Sequence, residues 1–123
     1  MIDASALLAL LFREPGQEMV QASLGMGAVS AVNLAEVATK LVRKGVPPQS
    51  AVDILRNLSL NVLDWTQELA LESTWLADLA WSDGLALGDR ACLTLARRLQ
   101  VPAITADRTW ANLPSGVQVK LIR

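Results

Sequence analysis

The chain has 123 residues, 52% of them hydrophobic, with a net charge of −1, which suits one domain (residues 1–123) with a substantial core. It contains no histidine and one cysteine, so Ser-His-Asp and Cys-His catalysis, histidine acid–base chemistry, cysteine- or histidine-based zinc sites and an internal disulfide are all excluded. Carboxylates, hydroxyls and hard metals with oxygen ligands remain, and a near-neutral balance confines any nucleic-acid role to local patches.

Met1-Ile2-Asp3 reads as the end of a short strand, followed at helical spacing by Ala4, Leu7, Leu8 and Leu11. The apolar run from Ala4 to Phe12 is far too short to span a membrane, and Asp3 stands where a signal peptide would be positive, so a cytoplasmic protein is expected. Glu14-Pro15-Gly16 breaks the helix, Gln17 to Leu24 forms a short one, and Gly25-Met26-Gly27 turns. Ala28-Val29 is a brief strand, and Ser30 is a good N-cap. In the helix it starts, Leu34, Ala38, Leu41 and Val42 form the apolar stripe, with Asn33, Glu36, Lys40 and Arg43 on the polar face, and Gly45 ends it. Pro47-Pro48 opens another helix with Val52, Leu55 and Leu58 inward, and Leu60 to Leu63 is β-like. A long helix is expected from Gln67 to about Trp81, with Leu69, Ser73, Leu76, Ala77 and Ala80 on one buried face and Leu71, Trp75 and Leu79 on a second.

The stretch Leu87 to Asp107 reads as a helix beginning near Gly88-Asp89, a turn at Gln100-Val101-Pro102, and a strand ending near Thr105. Cys92 lies in the apolar stripe of that helix, a packing position. Trp110 starts a short turn, and Val117 to Ile122 alternates as a final edge strand. Short strands alternating with longer helices predict a three-layer α/β fold, a short mainly parallel sheet flanked by helices.

In such a sheet ligands bind outside the carboxyl ends of the strands. Asp3 and Asp107 close strands, Asp89 heads a helix that runs back to the same edge, and Glu36 lies about 9 Å along its helix from Ser30. Each acid has a plain structural reading. Asp3 and Asp107 suit helix N-caps, Asn33-x-x-Glu36 a capping box, and Glu36 with Lys40 an i,i+4 surface pair. Asp89 shares its helical face with Cys92, Leu93 and Ala96, the buried side, so it is a cap or a ligand. Two carboxylates 4 Å apart repel by about 4 kcal/mol at an effective dielectric near 20, and a divalent cation reverses that sign. Oxygen ligands without histidine suit Mg²⁺ or Mn²⁺, which supplies a nucleophile for phosphoryl displacement without a histidine base.

Four segments carry a family resemblance: Met1-Ile2-Asp3-Ala4-Ser5-Ala6-Leu7-Leu8, Ser30-Ala31-Val32-Asn33-Leu34-Ala35-Glu36-Val37, Leu87-Gly88-Asp89-Arg90-Ala91-Cys92-Leu93 and Thr105-Ala106-Asp107-Arg108. In order and spacing the chain resembles the PIN-domain ribonucleases, in particular the VapC-type toxins of bacterial toxin–antitoxin pairs. The resemblance implies a PIN-like fold, an acidic quartet on Asp3, Glu36, Asp89 and Asp107 that holds Mg²⁺ or Mn²⁺, and endonucleolytic cleavage of structured RNA such as tRNA or rRNA. It also implies a homodimer, a small VapB-like antitoxin, and Ser5 and Thr105 as polar helpers. Lys40, Arg90 and Arg108, with Arg13 and Arg43, are basic side chains near the same edge that suit an RNA backbone. The competing expectation is a non-catalytic RNA- or protein-binding module on a PIN-like fold, with the acids as caps.

Overall fold

The first three residues are the pivot of the sheet. In the computed structural model, which describes residues 1–123, Ile2 pairs in parallel with Ile104 as a single bridging residue. Its N–H also donates to Ala28 O at 2.8 Å, and Ile104 N–H donates to Met1 O at 2.7 Å. The chain start thereby joins two parallel pairs, β1 (Ala28–Ser30) with β2 (Asn61–Leu63), and β3 (Ala103–Thr105) with β4 (Val119–Leu121). The expected first strand is thus one bridge, because Asp3 caps the helix that begins at Ala4 and extension ends there. The last strand lies on the edge as expected, but shortens to Val119–Leu121.

Seven helices cover the sheet: α1 (Ala4–Leu11), α2 (Gln17–Ser23), α3 (Ala31–Arg43), α4 (Pro48–Asn57), α5 (Gln67–Glu72), α6 (Ala77–Ser82) and α7 (Leu87–Leu99). Neighbouring residues of a strand point to opposite faces. Ile2, Val29 and Ile104 pack into one hydrophobic cluster with α1 and α3, while Met1, Ala28 and Ala103 pack into another with α7 and the fully buried Cys92. Two cores on two faces of one sheet make the three-layer α/β arrangement that the alternation of elements predicts. Gly16, at φ +92°, ties α2 to the sheet edge: a Cβ there would overlap the Ile122 backbone.

The expected helix from Gln67 to Trp81 is broken by a 3₁₀ turn, Ser73–Leu76, between α5 and α6. The buried Ser73 Oγ donates to Ala70 O at 2.7 Å and Trp75 Nε1 to Thr94 Oγ1 at 3.2 Å. The first bond competes with the regular ladder and the second draws the tightened turn onto α7. Leu69, Ser73 and Leu76 stay buried, but the break rotates the rest of the face. Ala77 is exposed, and Leu71 of the expected second face is 64% exposed. Val42 and Val52, expected inward, are also largely exposed, whereas Leu41 and Leu55 are buried. No helix is long and apolar enough to cross a membrane.

Candidate acidic site

Asp3 sits where the chain leaves the sheet, at the N-terminus of α1. Its side chain is 4% exposed and accepts hydrogen bonds from Ser5 N–H at 3.2 Å, Ser5 Oγ at 2.6 Å, Thr105 Oγ1 at 3.0 Å and Asn33 Nδ2 at 3.2 Å. Each hydroxyl has one proton to give. With both given to Asp3, the hydroxyl oxygens accept from the backbone, Ser5 Oγ from Ala106 N–H at 2.9 Å and Thr105 Oγ1 from Asp107 N–H at 3.0 Å. Ser5 and Thr105 therefore lock the start of α1 to the end of β3 and fix the backbone of Asp107. Burial still pushes the Asp3 carboxyl above the ordinary carboxylate range, against the pull of these hydrogen bonds.

Asn33 is the residue the sequence reading misplaced. Assigned to the polar face of α3, it is fully buried. Ser30 is the N-cap of α3 and accepts from Asn33 N–H at 2.9 Å. That places Asn33 at the third helical position, turned back toward the sheet end. Its Oδ1 accepts from Ser30 Oγ at 2.5 Å, and its Nδ2 donates to Asp3 Oδ1 and to Gly88 O at 3.1 Å. The capping-box reading of Asn33 with Glu36 is not realised, because Ser30 holds the cap. The available signal was Ser30 itself: a side chain at the third helical position can reach back to its cap, as Asn33 Oδ1 does to Ser30 Oγ.

Glu36, one turn further on, is half-buried and meets α7 at Gly88. A Cβ on Gly88 would overlap Glu36 Oε2 and crowd Asn33 Nδ2 at 3.2 Å, so glycine lets the two helices close at this point. Glu36 Oε1 also pairs with Lys40 at 2.8 Å, the surface pair expected from their spacing. Asp89 follows Gly88 in the first turn of α7, and its Oδ2 accepts from Ala86 N–H at 2.8 Å. Asp107 is exposed and caps the 3₁₀ turn Arg108–Asn112, its Oδ1 accepting from Thr109 N–H at 2.9 Å and Thr109 Oγ1 at 2.7 Å.

Asp89 feels the other three acids. Asp89 is pushed up to about 6, first by burial and then by the negative charges of Asp3, Glu36 and Asp107, against the Ala86 hydrogen bond. Carboxylates at the starts of α1 and α7, on α3 and after β3, distant in the chain, thus lie within electrostatic reach of Asp89. As donors they suit a hard divalent cation in kind. In the arrangement described, no three acidic side chains stand close enough together to hold an ion, with Glu36 turned to Lys40 and Asp107 to Thr109.

The basic residues expected near this edge divide. Lys40 is paired with Glu36. Arg108 is exposed, with Nε donating to Arg123 O at 3.3 Å. Arg90 has a buried Nε with no hydrogen-bond partner, one residue from Asp89. Arg43 and Arg13 are exposed and unpaired. Arg98 bridges Glu68 at 2.8 Å and Glu72 at 2.7 Å, and Arg97 stacks 4.4 Å over the Trp75 ring, so both brace α5 and the 3₁₀ turn against α7.

A family model described as PIN domain matches residues 1–115. No curated protein matches the sequence. Among solved structures, the chain is similar to a toxin–antitoxin complex from Klebsiella pneumoniae, at 22% identity and TM-score 0.68, covering 99% of this chain and 96% of that one. It is also similar to VapBC2 from Rickettsia felis bound to a DNA fragment from its promoter, at 15% identity and TM-score 0.72, covering 98% and 96%. A third is DNA-bound VapBC from Salmonella typhimurium, at 16% identity and TM-score 0.75, covering 100% and 97%. At these identities the likeness establishes the shared fold.

Proposed function

The chain belongs to the PIN domain family, and from that premise we propose that it is a metal-dependent endoribonuclease, the toxin of a VapBC-like pair, with a VapB-like antitoxin as its partner and a second copy of itself as a dimer partner. The observation that carries the reading is the junction at Gly88, where Asn33 Nδ2 joins the buried Asp3 to Gly88 O and Glu36 packs on Gly88 next to Asp89, which burial and the charges of Asp3, Glu36 and Asp107 raise to about 6. Uncompensated, that convergence works against the fold, and an Mg²⁺ or Mn²⁺ ion offsets it. Asp3, Glu36, Asp89 and Asp107 would hold the ion, Glu36 and Asp107 by turning from Lys40 and Thr109. When bound, the ion supplies an activated water and charge neutralisation for hydrolysis of a phosphodiester in structured RNA such as tRNA or rRNA. Ser5, Thr105 and Asn33 keep Asp3 oriented, and Arg90, Lys40 and Arg108 stand where cations can meet the RNA backbone.

The deciding experiment is RNA cleavage with Mg²⁺ or Mn²⁺, with and without EDTA, by wild type and Asp3→Asn. Cleavage that needs metal and is lost in the variant supports the reading, whereas equal cleavage by both proteins ends it. A second reading, a non-catalytic binding module, is favoured by the cap duties of Asp3 and Asp107 and the Glu36–Lys40 pair. It requires that Mn²⁺ leave the melting temperature unchanged, so a rise that is lost in Asp89→Asn excludes it.

A further inference from the structure

A second feature is joined to the acids through Ser5, which bonds Asp3, and Lys40, which pairs with Glu36. A groove of about 660 Å³ runs between α1 and the C-terminal half of α3, and Ser5, the residue that donates to Asp3, lies in its wall. Lys40, Arg43, Lys44 and Arg123 also line it, against one acid, Glu14. Lys40 and Arg123 are each held by an ion pair, with Glu36 and Glu14 at 2.8 Å in both cases. Arg43 and Lys44 are exposed and paired with no acid. Lys40, Arg43 and Lys44 follow one another within about 6 Å of helix axis. A cationic row that leads away from a negative site fits a polyanion that passes through that site.

The same groove contains Phe12, the only phenylalanine of the chain, a residue 38% exposed. It stands at the C-terminal end of α1, about 10 Å from Ser5 along the axis. Lysine and arginine alone would accept duplex and single strand alike. An exposed aromatic face among cations adds a platform on which a base stacks, and only an unpaired base can reach it.

We propose that this groove binds single-stranded RNA next to the scissile position, with Phe12 stacking an unpaired base and Arg43 and Lys44 holding the phosphates beside it. This rests on the ribonuclease reading, and what it adds is the track of the strand along α1 and the C-terminal end of α3 and the residue that receives a base. The groove is the positioning element, and the acids remain the reacting site.

Binding is tested apart from cleavage, in EDTA and 50 mM salt, by fluorescence anisotropy with a labelled mixed-sequence RNA 12-mer, single-stranded or annealed to its complement. The wild type is expected to prefer the single strand. Phe12→Leu, which keeps an apolar side chain there, weakens single-strand binding by about tenfold, within the range for loss of one base–aromatic stack, and leaves duplex binding unchanged. Phe12→Trp restores it. Arg43→Ala with Lys44→Ala lowers the slope of log K against log salt by about 1.4, the value for two phosphate contacts on a single strand. Arg56→Ala, on α4 away from the groove, changes neither. The proposal is overturned by any of three results: Phe12→Leu binds the single strand like wild type, the single strand does not bind in EDTA, or a polyglutamate peptide displaces the RNA as well as unlabelled RNA does, which identifies a peptide groove. Loss of the ribonuclease reading looks different: binding follows this pattern, but no RNA is cut with Mn²⁺.

Discussion

Asp89→Asn should make the metal-free protein more stable. The asparagine keeps an oxygen to accept from Ala86 N–H, so the first turn of α7 retains its cap. What is lost is a charge that Asp3, Glu36 and Asp107 repel and that burial disfavours. A shift from 3.8 to about 6 corresponds to roughly 3 kcal/mol at about 1.4 kcal/mol per unit for a sealed site. Asp89 is only half-buried, and solvent screening cuts this to about 1.5 kcal/mol. For a chain of this length that is a rise of about 6 °C in melting temperature. The sign with pH follows from the raised value. An acid whose carboxyl is raised in the fold adds no penalty while protonated, and destabilises progressively as pH climbs from near 4 to above 6. The gain of the variant should therefore be full at pH 7.5 and shrink toward zero near pH 4. The assay is thermal unfolding by circular dichroism in EDTA at both pH values. A variant no more stable than wild type at pH 7.5 would refute the argument that the acids strain the fold, and with it the main support for an ion at this place.

Gly88→Ala should lower the melting temperature by several degrees, since its Cβ displaces the end of Glu36 and crowds Asn33, which is buried and held by Ser30, Asp3 and Gly88 O, and should reduce metal-dependent RNA cleavage by at least tenfold in an initial-rate assay. Asn33→Asp should lower the folded yield sharply, because it removes the donor to Asp3 and Gly88 and sets a second carboxylate against Asp3 in a fully buried position, read by solubility and circular dichroism. Thr105→Val should cost about 2 kcal/mol in urea unfolding, since it takes a buried donor from Asp3 as well as the acceptor from Asp107 N–H. It should also move the acid limb of the cleavage profile to higher pH, because the lost hydrogen bond favours the charged form of Asp3.

Much of the fold is local in origin and was readable as such. Ser30 as a cap, the proline opening of α4, Gly45 after α3 and the turn at Gln100 to Pro102 set element boundaries through backbone preferences that need no partner. The acids stood out as candidates because three stand at element junctions and histidine is lacking. The break after Glu72 was not readable, since it depends on Ser73 bonding back to Ala70 and on Trp75 reaching Thr94 on another helix.

By itself, the chain of residue types determined the alternation of strand and helix and which acids are candidates for a site, at Asp3, Glu36, Asp89 and Asp107. Tertiary structure alone decided that Ile2 joins two strand pairs, that Asn33 points inward to tie Asp3 to Gly88, and that Arg43, Lys44 and Phe12 share a groove with Ser5. The reason is physical. Caps and periodicity act within a turn or two of the backbone, whereas these contacts join side chains far apart in the chain whose distances exist only after the layers have packed.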